Sequence, residues 1–301
     1  MSKKIDFQRL PTGTASDLIV KGCLVIEGGA FRGIYAQGVV DFLMTKGINM
    51  ECTIGCSAGA LTVMNYVSGQ IGRSILINLK YRHDKRYIGW KNMAKGKGLI
   101  GFDFILNEVT NDYPFDEKRF FLKERRFVTV ATDILSGKPR YSDKDNFSDY
   151  VLAIQASASM PFISKPVSIE DSLYLEGGVI DSIPYQWGLN QGYKKMIVIR
   201  TREVSYRKDM SKKNRFLEHS ILTKKYPLLK QALQDRARMY NAQCDKLDML
   251  VGEEKVFCFS PSKPLDVGRL EGNLSKLEGL YYMGYQDAEK MFPNLIKYIE
   301  N

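Results

Sequence analysis

With 301 residues, 44% of them apolar, and a formal net charge of +10, the chain has the length and composition of a globular protein with a full core. It contains no apolar run near the ~18 residues of a membrane span, and Met1 to Lys21 lack the apolar stretch of a secretory leader, so a soluble, cytoplasmic protein is expected. Five cysteines (Cys23, Cys52, Cys56, Cys244 and Cys258) are odd in number and form no paired metal motif, which argues against a disulfide framework and against a metal centre.

Taken in chain order, Gly22 to Glu27 is a short apolar run ending in glycines and reads as a buried strand. Gly33 to Lys46 has helical apolar spacing (Ile34, Val39, Val40, Phe42, Leu43) and is closed by Gly47. A brief strand at Cys52 to Ile54 and a helix over Ala58 to Val67 follow. Phe127 to Thr132 is a β-branched strand, and Ser148 to Ala158 reads as a helix ending before Pro161. Leu173 to Leu175 is a short strand entering Glu176-Gly177-Gly178, and Lys195 to Arg200 is apolar enough to be covered on both faces. Tyr226 to Leu250 is helical, and Val256 to Phe259 closes the sheet. Strands alternating with helices predict a three-layer α/β/α fold with a mostly parallel central sheet. With no linker, low-complexity tract or repeat, residues 1–301 read as one domain, with a core over about 20–200 and an extension over about 201–301.

The positive charge is uneven. Lys194 to Lys225 holds eleven Lys/Arg against three Asp/Glu, and a second basic stretch runs through Arg73, Lys80, Arg82, Lys85, Arg86, Lys91, Lys95 and Lys97. Such stretches fit either a solvated face or attraction to anionic lipid headgroups. No nucleic-acid signature accompanies them, so nucleic acid is not an expected partner.

Gly55-Cys56-Ser57-Ala58-Gly59 reads GxSxG at a strand-to-helix junction, the spacing that exposes a serine hydroxyl on a tight elbow. Two more glycine motifs follow strands: Glu27-Gly28-Gly29-Ala30-Phe31-Arg32-Gly33 and Glu176-Gly177-Gly178. Ligands of such sheets bind at the carboxyl ends of the strands, so the fold is expected to bring all three motifs to one edge. There Ser57 could attack a carbonyl carbon, amides of Gly28, Gly29 and Ala30 could hold the oxyanion, and Glu176 could take the serine proton. Gly33, Gly55, Gly59, Gly177 and Gly178 keep the surrounding backbone compact. Cys56 reads as a small buried hydrophobe. Only two histidines exist, His83 and His219, both in basic surroundings, so a Ser–His–Asp triad would depend on His219 and a carboxylate base is favoured. Arg32 either fixes the loop by pairing with Glu27 or meets a lipid phosphate. Phe31, Met64 and Tyr66 read as core rather than as acyl-chain contacts.

These motifs resemble the patatin-like phospholipase family, whose members use a serine–aspartate dyad. The glycine-rich loop at residues 27–33, the elbow Gly-Cys-Ser-Ala-Gly-Ala and Ala156-Ser-Ala-Ser-Met-Pro161 carry the resemblance, and Gly279 to Ala288 is similar to the C-terminal region of a bacterial subgroup. The likeness spans roughly residues 20 to 290. It implies an acyl hydrolase acting on lipid carboxylic esters, of phospholipase A, lysophospholipase or esterase type, needing no cofactor. The departure is Glu176, where the family pattern has aspartate. Three readings stay open: Glu176 is the base, Asp181 replaces it, or the protein is a weak or inactive membrane-surface binder. A dinucleotide site built on Gly28-x-Ala30-x-x-Gly33 with Glu51 is a further alternative, which leaves the elbow unexplained.

Overall fold

A computed structural model describes residues 6–89, 100–145, 149–211 and 216–301. Lys91, Lys95, Lys97, Ser148, Lys212, Lys213 and Arg215 lie outside the described residues. In chain order the strands are β1 (Gly13–Thr14), β2 (Val20–Ile26), β3 (Met50–Cys56), β4 (Gln70–Ile71), β5 (Arg126–Asp133), β6 (Pro139–Asp143), β7 (Val167–Ile169), β8 (Ser172–Glu176), β9 (Met196–Ile199) and β10 (Phe257–Phe259). The principal helices are α1 (Ile34–Thr45), α2 (Ala58–Val67), α3 (Arg73–Tyr81), α4 (Tyr150–Ala158), α5 (Tyr185–Asn190), α6 (Pro227–Gly252) and α7 (Leu274–Glu300).

The main sheet has the order β10-β9-β2-β3-β5-β8-β7, with β6 also paired to β5. The run from β10 to β5 is parallel, whereas β6, β8 and β7 pair antiparallel. Side chains alternate across the strands with period two, as a sheet covered on both faces requires. Leu24, Ile26, Ile197 and Ile199 face the core built by α1, α2 and α7, while Cys23, Val25, Met196 and Val198 face that of α5 and α6. This is the expected three-layer arrangement with a mostly parallel centre.

The predicted strands and helices lie at the predicted places, most of them one to three residues longer or shorter. Several elements went unforeseen, β1, β4, α3 and α5 as well as β6, β7 and α7. β6 and β7 are short and polar on one side, and α7 contains Gly279, Gly284 and Pro293, residues that read against a 27-residue helix. What holds α7 is tertiary packing. It buries Leu277, Leu280, Tyr281, Gly284, Ala288 and Leu295, a stripe at helical spacing laid on α1. At its centre two glycines let the backbones touch. A Cβ on Gly38 would lie 2.0 Å from the Tyr281 carbonyl oxygen, and one on Gly284 would lie 2.0 Å from that of Tyr35.

The same seam encloses a carboxyl group. Asp41 of α1 accepts a hydrogen bond from Tyr281 Oη (2.8 Å) and is 2% exposed; burial pushes its pKa from 3.8 up to about 7. The folded protein therefore holds this proton more tightly than the unfolded chain. The advantage is complete below pH 3.8, declines as the unfolded chain ionises, and is gone above about pH 7, a loss on the order of a few kcal/mol. Asp41→Asn should flatten this slope: denaturant unfolding at pH 5 and pH 8 should differ less in the variant than in the wild type. An unchanged difference would remove Asp41 from the account.

Candidate active site

The elbow lies where β3 turns into α2. Ser57 takes φ 55° and ψ −120°, a left-handed conformation that a non-glycine residue adopts at a cost, and it is the N-cap of α2. Gly55, one residue before the end of β3, packs against Gly59, and Gly59 packs on the Ile26 carbonyl. Gly33 lies against Ala58. Gly28 is where glycine is needed for access: a side chain there would crowd Cys56 Sγ at 3.1 Å and Ser57 Cβ at 3.3 Å.

Glu176 reaches this point by an unexpected route. β6 pairs with Val128 to Thr132 of β5, so β3 and β8, which pair with Arg126 to Val130 and with Ala131 to Asp133, share the opposite edge of β5 end to end. Cys56 lies opposite Val130 and Glu176 opposite Ala131. The acid motif thus does not follow a parallel strand, as its place after a strand suggested. It arrives from the opposite direction and meets the end of β3 head-on. Gly177 and Gly178 form the 3-10 turn after it.

The end of α4 ties the two together. Ser157 Oγ accepts the Ser57 N–H at 2.9 Å, and the Ser159 carbonyl accepts the Glu176 N–H at 2.7 Å. This gives the Ala-Ser-Ala-Ser segment a physical role. Ser157→Ala would leave the buried Ser57 amide unsatisfied, at about 1–3 kcal/mol. Turnover should fall roughly ten-fold or more as the elbow shifts; an unchanged rate, with unchanged stability, would show that the contact positions nothing.

The Glu176 carboxylate is mostly buried, and its Oε2 lies 3.4 Å from Nη2 of Arg236, long for a charge-assisted contact. It makes no hydrogen bond to Ser57 among the described residues. The other carboxylate nearby is committed elsewhere. Asp181 accepts from Tyr141 Oη (2.8 Å) and from Gln243 Nε2 (2.6 Å), and burial raises its pKa. Both histidines are exposed and neither lines the cavities around Ser57. Burial pushes the Cys56 thiol well up, so it is no nucleophile. Glu51 is bound by Lys21 and by the Gly22 amide at the start of β3, the end away from Ser57, which takes the support from a dinucleotide site.

In the glycine-rich loop the Gly28 N–H already donates to the Ser182 carbonyl at 3.3 Å. The Gly29 and Ala30 amides have no acceptor among the described residues, and Ala30 has φ 50°. Arg32 does not pair with Glu27, whose oxygens accept from the Thr201 amide (2.6 Å) and Tyr240 Oη (2.8 Å). Its Nε is buried without a partner, and burial, with Arg202 and Arg269 nearby, lowers its pKa to about 10.

Two cavities meet here. Ser57 lines an apolar cleft with Phe31, Ile34, Leu61, Met64, Ile77 and Ile105, about 910 Å³ of free space with its mouth included. Phe31 and Met64 belong to the buried core, as expected, and also line the cleft; Tyr66 is core, its hydroxyl donating to the Ile48 carbonyl at 2.7 Å. Glu176 lines a smaller polar pocket, and Ala30, Met160 and Arg269 border both. Of the second basic stretch, Arg73 is buried and donates to Asn65 Oδ1 (2.6 Å), Lys80 pairs with Asp112 (2.8 Å), and Arg86 pairs with Asp84 (2.7 Å). Much of that charge is consequently internal pairing. No helix among the described residues is long and apolar enough to cross a membrane.

A serine on a strand-to-helix elbow, a glycine-rich loop and an apolar cleft at the edge of a mostly parallel sheet place the chain in the class of α/β proteins with a serine elbow. Residues 24–186, more than half of the chain, match the patatin-like phospholipase family, and the chain belongs to it. Residues 226–300 match a domain of unknown function, DUF6363. The chain is 28% identical to the uncharacterized protein YjjU of Escherichia coli (strain K12), over 87% of this chain and 74% of YjjU. It is 25% identical to the probable lipid hydrolase 463L of Invertebrate iridescent virus 6, over 77% of this chain and 86% of the viral protein. Lysophospholipase NTE1 of Scheffersomyces stipitis is 22% identical over 98% of this chain and 19% of that protein. Among solved structures, VipD from Legionella pneumophila aligns with a TM-score of 0.46 and 13% identity, covering 93% of this chain and 68% of VipD.

Proposed function

We propose that the protein hydrolyses carboxylic esters of lipids, with Ser57 as nucleophile and Glu176 as its base. The observation that carries this reading is the end-to-end meeting of β3 and β8, in which Cys56, the residue before Ser57, and Glu176 lie opposite successive residues of β5, with Ser57 on the apolar cleft and Glu176 on the polar pocket that adjoins it. Family membership and the names of the viral and yeast relatives support it.

In this mechanism Ser57 Oγ attacks the ester carbonyl carbon while its proton passes to Glu176. The oxyanion accepts from the Gly29 and Ala30 amides, the two free donors of the loop, and the N-terminus of α2 adds a favourable dipole. The intermediate collapses, the C–O bond breaks, and the leaving alcohol takes the proton from Glu176. Water then gives a proton to Glu176 and attacks the acyl-serine; breakdown releases the carboxylic acid and restores Ser57. No metal or cofactor enters any step. Because the Arg236 contact is long, the carboxylate is free to turn toward Ser57 when substrate arrives.

Labelling with a fluorophosphonate, mapped by mass spectrometry, tests the reading, since the probe needs only an activated serine. A label on Ser57 that is lost in Ser57→Ala and much slowed in Glu176→Gln is the expected result. Folded wild-type protein that takes no label would overturn the dyad and favour a binding role at lipid surfaces.

A further inference from the structure

The polar pocket beside the dyad holds more positive charge than ester hydrolysis requires. Arg32 enters it from the glycine-rich loop, Arg202 and Lys208 from the segment after β9, Arg236 from α6 and Arg269 from the approach to α7. Neighbouring cations of the same basic stretch are already paired: Arg200 with Asp248 at 3.0 Å, and Arg207 with Asp245 and Asp248 at 2.7 Å. Among the described residues the pocket's cations lack such partners, save Arg236, whose Nη2 lies 3.4 Å from Glu176 and whose Nε donates to the Gly178 carbonyl at 2.6 Å. Of the two carboxylates that line it, Glu27 is taken by Tyr240 and the Thr201 amide, and Glu176 has only its long contact to Arg236. Arg32 is 9% exposed with an unpartnered Nε, and Lys208 is crowded enough that burial and then Arg236 lower its pKa to about 7. Five cations held this close against two carboxylates mark a place built for an anion.

The aromatic groups refine the choice of anion. A quaternary ammonium headgroup is recognised by free aromatic faces. Here those faces are occupied by the protein's own cations, Lys208 Nζ lying 3.9 Å from the centre of the Tyr240 ring and the Arg202 guanidinium 4.3 Å from that of Tyr206. A choline group would find no cage and would meet five cations; a phosphate dianion needs no cage and meets more cations than carboxylates. The pocket encloses about 550 Å³ of free space with its mouth included, and it adjoins the apolar cleft at Ala30, Met160 and Arg269.

We infer that this pocket binds the phosphate of a lipid with an anionic, phosphomonoester headgroup, whose acyl chain fills the cleft and whose ester lies between them at Ser57. The assignment deepens the hydrolase reading and rests on it for the chemistry, though not for the binding. It also gives the C-terminal third of the chain a task, because Arg202, Lys208, Arg236 and Arg269 all come from it.

The test compares 1-oleoyl lysophosphatidic acid, 1-oleoyl lysophosphatidylcholine and monoolein, which share an acyl chain and differ in headgroup. With wild-type protein kcat/KM should be at least ten-fold higher for the phosphate lipid than for the other two. In Arg202→Gln and in Lys208→Gln the ratio of the phosphate lipid to monoolein should fall at least ten-fold. Titration of Ser57→Ala protein with the same lipids, and separately with inorganic phosphate, reads binding without turnover. Equal binding of the three lipids, or a ratio that neither variant changes, overturns the assignment. Binding of inorganic phosphate with no preference among the lipids also overturns it, in favour of a free anion as the ligand. Preferential binding of the phosphate lipid with no hydrolysis of any lipid upholds the subsite and brings down the hydrolase reading instead.

Discussion

In the proposed mechanism Glu176→Gln should lower the turnover of lipid esters by roughly a thousand-fold, the middle of the range spanned by general-base catalysis. Glutamine keeps the shape of the side chain and its reach to Arg236, so the fold and the pocket survive while the acceptor of the serine proton is lost. Glu176→Asp is the informative companion. It keeps the charge but draws the carboxylate back by ~1 Å, and displacements of that size cost up to about a hundred-fold. The expected order of rates is therefore wild type, then aspartate, then glutamine, read as kcat on one substrate under saturation. A faster aspartate variant would mean that the site is built for the shorter acid and that Glu176 limits it. A glutamine variant as fast as the wild type would remove Glu176 from the mechanism.

Gly38→Ala has the largest expected effect on stability. The added methyl would lie 2.0 Å from the Tyr281 carbonyl oxygen and 2.8 Å from the Tyr285 nitrogen, backbone atoms that cannot swing aside. α1 and α7 must then separate, which loosens the packing of Phe42 against Tyr285 and Phe292 and the Tyr281–Asp41 hydrogen bond. Overpacking typically costs about 1–3 kcal/mol, and because the clash is with backbone the upper end is expected, a fall in melting temperature on the order of 6 °C for a chain of this size. Gly279→Ala is the control on α7: it meets nothing within 4 Å and should be neutral or stabilising by up to about 1 kcal/mol. If both substitutions lower the melting temperature equally, the close approach at Gly38 is not what sets the effect.

The motifs that carry chemistry were legible because each is local. The elbow at Ser57 and the helix over Ala58–Val67 follow from a short apolar run, a small-residue turn and helical spacing, all within a dozen residues. The direction of β8 was not, because Leu-Tyr-Leu-Glu-Gly-Gly has the same alternation whichever way it is paired; only its register with Ala131 to Asp133 distinguishes the two. α7 was hidden by its glycines and Pro293, whose cost in propensity is outweighed by contacts with residues more than two hundred positions away. The charge of the polar pocket was visible as a count but not as a place. Arg202 and Arg207, five residues apart, have opposite fates, one in the pocket and one tied to α6 through Asp245 and Asp248.

The head-on junction of β3 and β8 also sets how such a site can be tuned. Distance along a strand comes in steps of about 3.3 Å, and one step turns a side chain to the opposite face of the sheet. Slipping β8 against β5 is thus too coarse an adjustment to survive. The remaining fine control is the length of the acidic side chain, changed by one methylene while the register stays locked. In the proposed dyad, exchange between glutamate and aspartate at position 176 would be the vernier of this scaffold, with the strand pairing as its fixed scale.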